Sequence, residues 1–315
     1  MKRGTPSSGN HSKADPSTTV FRMTSPERIL VRMTRFAGKT AVLGTKHGKE
    51  RVIRPILVDT LGLRVVTAES FDSDVFGTFT REVGRAGTAH ETVRAKALAA
   101  LEAMPTAAFA IASEGSFGPH PEIPFAAAGL ELVMLIARDD TLALMGTDLT
   151  LETNYSGCMI GSHTAARTFV ERVGFPAHGV ITMRVRDGAP SGDMITKDIT
   201  DVDAVLREVD RLVRADGAAW IETDMRADRN PTRMRSIERA TAALARAAVS
   251  VCPRCDSPGF VVVDVRRGLA CHDCGLPTSR PRAQILRCSG CRHVEERPID
   301  GPRTASAATC DHCNP

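Results

Sequence analysis

Eight of the nine cysteines in this sequence form four Cys-x-x-Cys pairs within the last 64 residues. The pairs are Cys252 and Cys255, Cys271 and Cys274, Cys288 and Cys291, and Cys310 and Cys313. A Cys-x-x-Cys turn presents two sulfur atoms to one metal, and a structural Zn²⁺ ion binds four thiolates in a closed tetrahedron. The spacing therefore predicts two structural Zn²⁺ ions. Disulfides and a thiol redox relay are less favoured, because eight evenly paired cysteines in a reducing compartment are more typical of metal ligands.

The pairing of the four cysteine turns stays open at this stage. We favour sequential pairing, first with second and third with fourth, over a crossed or nested arrangement. Residues 260–265 and 269–270 are expected to form a hairpin between the first two turns, and the strand 294–299 would link the last two. We also expect Gly275 to adopt a positive φ, because it directly follows a tight turn.

Three polar clusters follow predicted strands, where an open α/β sheet keeps its ligands. The first is residues 45–49, with Thr45, Lys46, His47 and Lys49 before a predicted helix. Lysines and backbone N-H groups at a helix start suit a phosphate, although a solvated lysine turn explains them equally well.

The second cluster opens another predicted helix, which carries Thr88, Glu91 and Lys96. A capping box between Thr88 and Glu91 is the alternative to a ligand site. The third cluster is residues 113–118, where Glu114, Gly115 and Ser116 follow an apolar strand. Glycine there would allow a ligand to approach the backbone closely.

A charged segment at residues 222–233 includes Glu222, Asp224, Arg229 and Arg233 as candidate residues of a second site, with exposed loop charge as the alternative. Cys158 and His163 could form a thiol nucleophile and its base, but a buried cysteine without catalytic function is favoured.

In this order the clusters resemble the inosine-triphosphate pyrophosphatase superfamily. That family opens with Thr and Lys before a helix, continues with Glu-x4-Lys-Ala on the next helix and an acidic-Gly turn after the next strand, and ends with Asn and Arg before an Ala/Leu helix. The matching residues are Thr45, Lys49, Glu91, Lys96, Ala97, Glu114, Gly115, Asn230 and Arg233. Where the family often has two aspartates, this chain has Ser113-Glu114.

The resemblance implies Mg²⁺-dependent hydrolysis of a nucleoside triphosphate to a monophosphate and pyrophosphate. Glu91 and Glu114 would hold Mg²⁺, while Lys49 and Lys96 would neutralise charge on the triphosphate. The substrate would bind at Thr45, Lys46, His47, Gly115, Ser116, Asn230 and Arg233. The chain also resembles an uncharacterised bacterial family in which a domain with TKHGKE and SEGSFGP is followed by a cysteine tail ending in CNP.

Short apolar runs alternate with helical patterns from residue 40, which predicts a layered α/β domain. We expect a disordered basic arm over residues 1–35, a three-layer mixed-sheet α/β domain over 36–248 and a double zinc ribbon over 249–315. The arm is rich in Ser, Thr, Pro and Gly and lacks periodicity.

The charge distribution bears on the partners of this chain. The formal net charge is +4, but the first 39 residues carry eight basic and two acidic side chains, so the rest is mildly acidic. Zinc-bound thiolates would make the tail more negative, which argues against nucleic acid as a partner. We find no apolar segment long enough for a membrane span or secretory signal and therefore expect a cytoplasmic protein.

The leading hypothesis is a Mg²⁺-dependent phosphohydrolase with a structural zinc tail, acting on a nucleotide-like substrate. The alternative is a non-catalytic adaptor, in which the α/β pocket binds a phosphorylated metabolite and the ribbons dock a protein partner. Convergence of Glu91 and Glu114 on one pocket would favour the enzyme, and carboxylates that face apart would favour the adaptor.

Overall fold

A computed structural model describes residues 35–68, 71–78 and 84–315 of the chain. The predicted basic arm lies outside these residues except for Arg35. Within them the protein is a mixed α/β structure with three sheets and five α-helices, which confirms the predicted fold class. The cysteine-rich tail forms the third sheet.

The first sheet has five strands in the order β2-β1-β3-β4-β5. Its strands are β1 (Thr40–Gly44), β2 (Arg64–Thr67), β3 (Phe109–Pro119), β4 (Ala127–Ala137) and β5 (Ala143–Thr150). The first three strands are parallel, whereas β4 runs antiparallel to β3 and β5 antiparallel to β4. The chain therefore moves to opposite sides of β1, first to β2 and then to β3.

Three helices cover the two faces of this sheet. Helices α1 (Glu50–Leu61) and α5 (Pro231–Val249) pack on one face, and α2 (Ala89–Ala103) packs on the other. Successive side chains along β3 and β4 point to opposite faces of the sheet. Ile111 and Val133 point towards α1 and α5, while Ala112 and Leu132 point towards α2. The result is the expected three-layer arrangement.

Local sequence signals set the ends of the helices. Helix α2 begins at a capping box, in which the Thr88 hydroxyl accepts from the Glu91 N-H and the Glu91 carboxylate accepts from the Thr88 N-H. Asn230 caps α5 by accepting from the Arg233 N-H, and Pro231 occupies its first turn. Helix α1 ends at Gly62, which adopts a φ of 65°.

A second sheet with the order β6-β9-β7-β8 follows in the chain. It contains β6 (Gly157–Ile160), β7 (Val180–Arg186), β8 (Ala189–Pro190) and β9 (Ala219–Thr223), all paired antiparallel. Helices α3 (His163–Val173) and α4 (Val202–Asp216) form an apolar core with it. The sequence predicted most of these elements but not their separation into a second sheet.

The third sheet consists of β10 (Phe260–Arg267), β11 (Pro281–Cys288) and β12 (Val294–Pro298) in antiparallel order. The expected hairpin between residues 260–265 and 269–270 is wrong, because β10 pairs with β11. Strand β11 is longer than the two-residue partner expected at 269–270, and its pairing with β10 places Phe260 opposite Cys288. The predicted strand near residues 294–299 is confirmed as β12.

The expected loop at residues 113–118 is also corrected. Strand β3 continues through these residues to Pro119, because β4 pairs with it along its whole length. Since β1 ends at Gly44, opposite Ala112, the second half of β3 lacks β1 as a neighbour. One edge of the SEGSFGP segment is therefore open to other parts of the chain.

In the described parts of the chain, no helix combines the length and the apolar character needed to cross a membrane.

Close packing of α5 on β5 depends on Gly146. A Cβ atom at this position would collide with the Ala240 carbonyl oxygen and the Leu244 backbone N. We predict that Gly146→Ala lowers the free energy of unfolding by about 1–3 kcal/mol, because helix and strand must separate. Gly118→Ala, in a strand of the same sheet with open space around the new methyl group, is the matched control. Urea denaturation would measure both, and equal midpoints would contradict the prediction.

Candidate functional sites

The eight tail cysteines form two sets of four, and the pairing is interleaved. The first set contains Cys252, Cys255, Cys288 and Cys291, and the second contains Cys271, Cys274, Cys310 and Cys313. The first turn thus joins the third and the second joins the fourth, so the predicted sequential pairing is wrong. Pairing of β10 with β11 explains this, because it brings residue 288 back to the start of β10.

The sulfur geometry fits a tetrahedral metal in each set. In the first set, the Cys252 and Cys291 sulfurs lie 3.6 Å apart, as do those of Cys255 and Cys288. In the second set, the sulfurs of Cys271 and Cys313 lie 3.9 Å apart, and those of Cys274 and Cys310 lie 3.6 Å apart. Four Zn–S bonds of about 2.3 Å place sulfurs about 3.8 Å apart, whereas a disulfide needs about 2.05 Å. Both sets could therefore hold a metal ion and are consistent with zinc.

Backbone geometry in the turns supports metal ligation. In each turn the amide four residues after the first cysteine donates to that cysteine's carbonyl, as from Gly275 to Cys271 at 3.0 Å. Gly275 has a φ of 75°, which confirms the expected positive value. The amides of Gly290 and Cys291 also approach the Cys288 sulfur at 3.3 and 3.4 Å, a contact that stabilises a thiolate.

The first cysteine set lies next to the α/β layers, because the third sheet follows α5 directly. The Gly259 amide donates to the Ala247 carbonyl near the end of α5. Gly259 also packs so closely against Leu144 of β5 that a Cβ atom would overlap it. Phe260 and Leu286 complete a small buried cluster with Cys252 and Cys288. The ribbon is thus anchored on the α/β layers through its first set.

A pocket opens where β1 ends and β3 continues. Residues 45–49 follow β1, residues 71–78 follow β2, and both loops reach this pocket. Such a position, between strands whose connections leave in opposite directions, is where open α/β sheets bind ligands. The pocket contains about 80 Å³, enough for several water molecules or a phosphate-sized group.

The lining of this pocket is mainly cationic. Its charged or titratable side chains are His47, Lys49, Asp74, Lys96, Lys197, Arg226 and Arg233. Asp74 is the single carboxylate among the described lining residues. These cations offer N-H donors to an anion, while carboxylates outside the lining balance the charges of Lys96, Arg226 and Arg233.

Two buried ion pairs lie below the pocket, one on each face of the first sheet. Lys96 of α2 contacts Glu114 of β3 at 2.6 Å, and Arg233 of α5 contacts Glu131 of β4 at 2.6 Å. Gly115 makes room for the second pair, because a Cβ atom there would lie 2.5 Å from the Glu131 carboxylate. Each buried charge thereby has an opposite charge beside it.

Lys49 differs from these pairs. Its side chain is buried, and its Nζ lies 3.1 Å from the Ser113 hydroxyl. Burial, together with the charges of Arg233 and Lys96, lowers the pKa of Lys49 to about 7 against the opposing effect of Glu131 and Glu114. The lysine therefore exchanges its proton near neutral pH.

The entrance of the pocket carries further ion pairs, made by Lys46 and Arg226. Lys46 contacts Asp72 at 2.6 Å and Asp74 at 3.0 Å, and these carboxylates raise the pKa of Lys46. Arg226 contacts Asp224 and Asp198, with distances of 2.6 and 3.0 Å. Burial lowers the pKa of His47, although its position between Asp74 and Asp228 opposes this effect.

Comparison with protein families adds one match. The family model described as a domain of unknown function, DUF6671, matches residues 96–315, more than two thirds of the chain. The chain belongs to this family. No curated protein matches it.

The DUF6671 match includes both buried ion pairs and all eight tail cysteines. It begins at Lys96, within α2, so the matched region does not contain β1 or Lys49. The uncharacterised family expected from sequence is confirmed, whereas the resemblance to inosine-triphosphate pyrophosphatases is not shown by this match.

In this DUF6671 protein, four of the predicted site residues lie together in the lining of the pocket. Lys49, Lys96 and Arg233 line it together with His47. Glu114 lies directly behind Lys96, and Gly115 allows Arg233 to pack close to β3.

Other predicted residues have local structural roles. The Glu91 side chain is exposed, and hydrogen bonds from Thr88 lower the pKa of its carboxylate. Asn230 caps α5 and is fully buried. The Thr45 hydroxyl donates to the Lys46 carbonyl, and Ser116 lies on β3 opposite Leu130. Glu91 and Glu114 do not share the pocket, because Glu91 points to solvent at the start of α2.

Sequence reasoning missed Glu131, Arg226, Lys197 and Asp74. For Glu131 a signal was present, because it is a lone carboxylate within the apolar run of residues 130–137. A charge within a buried strand requires a partner, which here is Arg233. The other three lie on loops. Arg226 falls within the candidate segment 222–233 without having been singled out there, and no sequence pattern linked Lys197 or Asp74 to the pocket.

Two double variants test the interleaved pairing. Cys255→Ser with Cys291→Ser removes two ligands from one set, so one zinc ion per chain should remain. Cys255→Ser with Cys274→Ser damages both sets and should leave almost none, because closed sites need four thiolates. All three cysteines are exposed, so the two variants are matched. Elemental analysis after dialysis against a mild chelator would measure zinc, and sequential pairing would give the reverse result.

Proposed function

We propose that the basic pocket binds a phosphorylated small molecule such as a nucleotide, and that the tail holds two structural zinc ions. The observation that carries the proposal is the excess of cationic side chains around a pocket at the ends of parallel strands. Phosphate groups favour such positions because cations and strand-end loops offer charge and N-H donors together.

The buried ion pairs support binding of an anion. Glu114 and Glu131 hold Lys96 and Arg233 in fixed positions, so little side-chain entropy is lost when a ligand arrives. Lys49 and Lys197 line the same pocket. A phosphate at this place would meet side chains from α1, α2 and α5.

We propose that residues 36–248 form the binding domain and residues 249–315 a zinc-stabilised ribbon. The ribbon has few large buried apolar side chains, so metal binding would supply much of its stability. We assign it a docking role, towards the α/β layers or a protein partner. Zinc-bound thiolates also favour a reducing compartment such as the cytoplasm.

Lys197→Glu tests anion binding by reversing one positive charge in the lining of the pocket. We expect at least about a tenfold weaker affinity for pyrophosphate, because a negative charge would face the ligand. Lys39→Glu is the control, since Lys39 is exposed and precedes β1, at the strand end opposite the pocket. Isothermal titration calorimetry at low salt would compare them. Equal affinities for the two variants would contradict the location of the site.

Hydrolysis of a nucleoside triphosphate is a second candidate function. The observation in its favour is Glu114, a buried carboxylate that contacts Lys96, a residue of the pocket lining. Among the described residues, the groups of three or more side chains close enough to share a metal are the two cysteine sets. A Mg²⁺ ion would therefore depend on the phosphate oxygens of the substrate for much of its coordination.

Release of phosphate or pyrophosphate from a panel of nucleoside triphosphates with Mg²⁺ tests this candidate. We expect Glu114→Gln to lose at least about tenfold in rate if hydrolysis occurs at the pocket, because Lys96 loses its charged partner. Glu91→Gln should retain turnover, since Glu91 caps α2 at the surface. No turnover by the wild type on any substrate would leave ligand binding as the function.

A further inference from the structure

Lys49 lacks the carboxylate partner that the other buried cations of the pocket possess. Lys96 contacts Glu114, and Arg233 contacts Glu131. In the described part of the chain, the hydrogen-bond partner of the Lys49 ammonium group is the Ser113 hydroxyl, and no carboxylate oxygen lies within ion-pair distance of it. The fixed charges of the two buried pairs cancel, so the charge on Lys49 decides the net charge at the pocket floor.

Burial and two nearby cations oppose protonation of Lys49 in the free protein, while two carboxylates favour it. The cations are Arg233 and Lys96, and the carboxylates are Glu131 and Glu114. At the entrance, His47 interacts with Lys49 and also with Asp74, Arg226 and Asp228. Burial is the strongest cause of the lowered pKa of Lys49, which falls to about 7. At pH 8 the amine is therefore mostly neutral.

We propose that the pocket, if it binds phosphate as proposed above, takes a terminal, doubly charged phosphate group whose binding protonates Lys49. The bound dianion and the protonated Lys49 side chain would then form an ion pair, which Lys49 does not form with the described residues of the free protein. A singly charged phosphodiester would stabilise the ammonium group less and would bind more weakly.

Ser113 is suited to this change of charge. A hydroxyl group can donate to a neutral amine and accept from an ammonium group, so its hydrogen bond with Lys49 survives in both states. A carboxylate in its place would keep Lys49 protonated throughout. The proton comes from hydronium or the buffer acid, which loses its bond to that proton as the new N-H bond of Lys49 forms.

The pH dependence follows from this linkage. The ligand raises the pKa of Lys49, so the complex holds more protons than the free protein above pH 7. Affinity should then fall as pH rises, by up to about tenfold per pH unit. Below pH 7, Lys49 is already protonated in the free protein, and affinity should level off.

Calorimetric titration of the zinc-loaded full chain with sulfate tests the proposal. Sulfate stays doubly charged between pH 6 and 9, so any proton taken up on binding must be taken up by the protein and not by the ligand. Titrations at each pH in two buffers with different ionisation enthalpies give the number of protons taken up. We expect uptake to approach one proton per sulfate at pH 8, with weaker binding of dimethyl phosphate, a singly charged probe.

Variants assign the proton to Lys49. Lys49→Arg carries a permanent charge and should bind sulfate without proton uptake at pH 8, whereas Lys49→Met should lose most of the affinity. Lys39→Arg, an exposed residue at the other end of β1, should behave as the wild type. Uptake that persists in Lys49→Arg, or wild-type binding without uptake at pH 8, would overturn the proposal and leave the phosphate site intact. Absence of binding of sulfate, phosphate and pyrophosphate at every pH would instead overturn the phosphate site itself.

Discussion

A charge removed from water is stable in a protein only beside an opposite charge or a full set of hydrogen bonds. The pocket of this protein is built under that constraint. Glu114 and Glu131 point to opposite faces of the first sheet, and each holds a cation from the helix that covers its face. The pairs fix α2 and α5 relative to the strands and bring their cationic side chains to one edge. Positions of the helices and the charge of the pocket thus depend on the same contacts.

The strand lengths create the space for these pairs. Because β1 stops at Gly44 while β3 runs on to Pro119, residues 113–115 face a gap where a neighbouring strand would otherwise lie. Lys49 fills part of this gap from the start of α1. Gly115 matters for its missing side chain, since any Cβ atom would displace the Arg233 and Glu131 pair. A difference in strand length of this kind provides a polar site within an otherwise apolar sheet.

Local patterns were sufficient to predict much of this arrangement. The helices α1, α2 and α5 follow from apolar periodicity and capping residues. Of the strand-end clusters, residues 45–49 contribute His47 and Lys49 to the lining of the pocket. The capping box with Thr88 accounts for Glu91 at this position, so the match of Glu91 to a loose family motif is weak support for a metal-binding role. Arg226 and Lys197 could not be assigned from sequence, because they reach the pocket from loops more than 70 residues after residues 113–118 in the chain.

The sequence by itself determined the ligand type of the tail sites, since four Cys-x-x-Cys turns supply eight thiolates and a hard cation would need oxygen ligands. It also determined most of the strands and helices in their order, because periodicity and turn residues are local properties. Only the tertiary structure decided which turns share a metal, since that choice depends on the pairing of β10 with β11. It likewise decided which charges meet, because Glu131 and Arg233 lie 102 residues apart in the chain and their contact exists only after the sheet and α5 have packed.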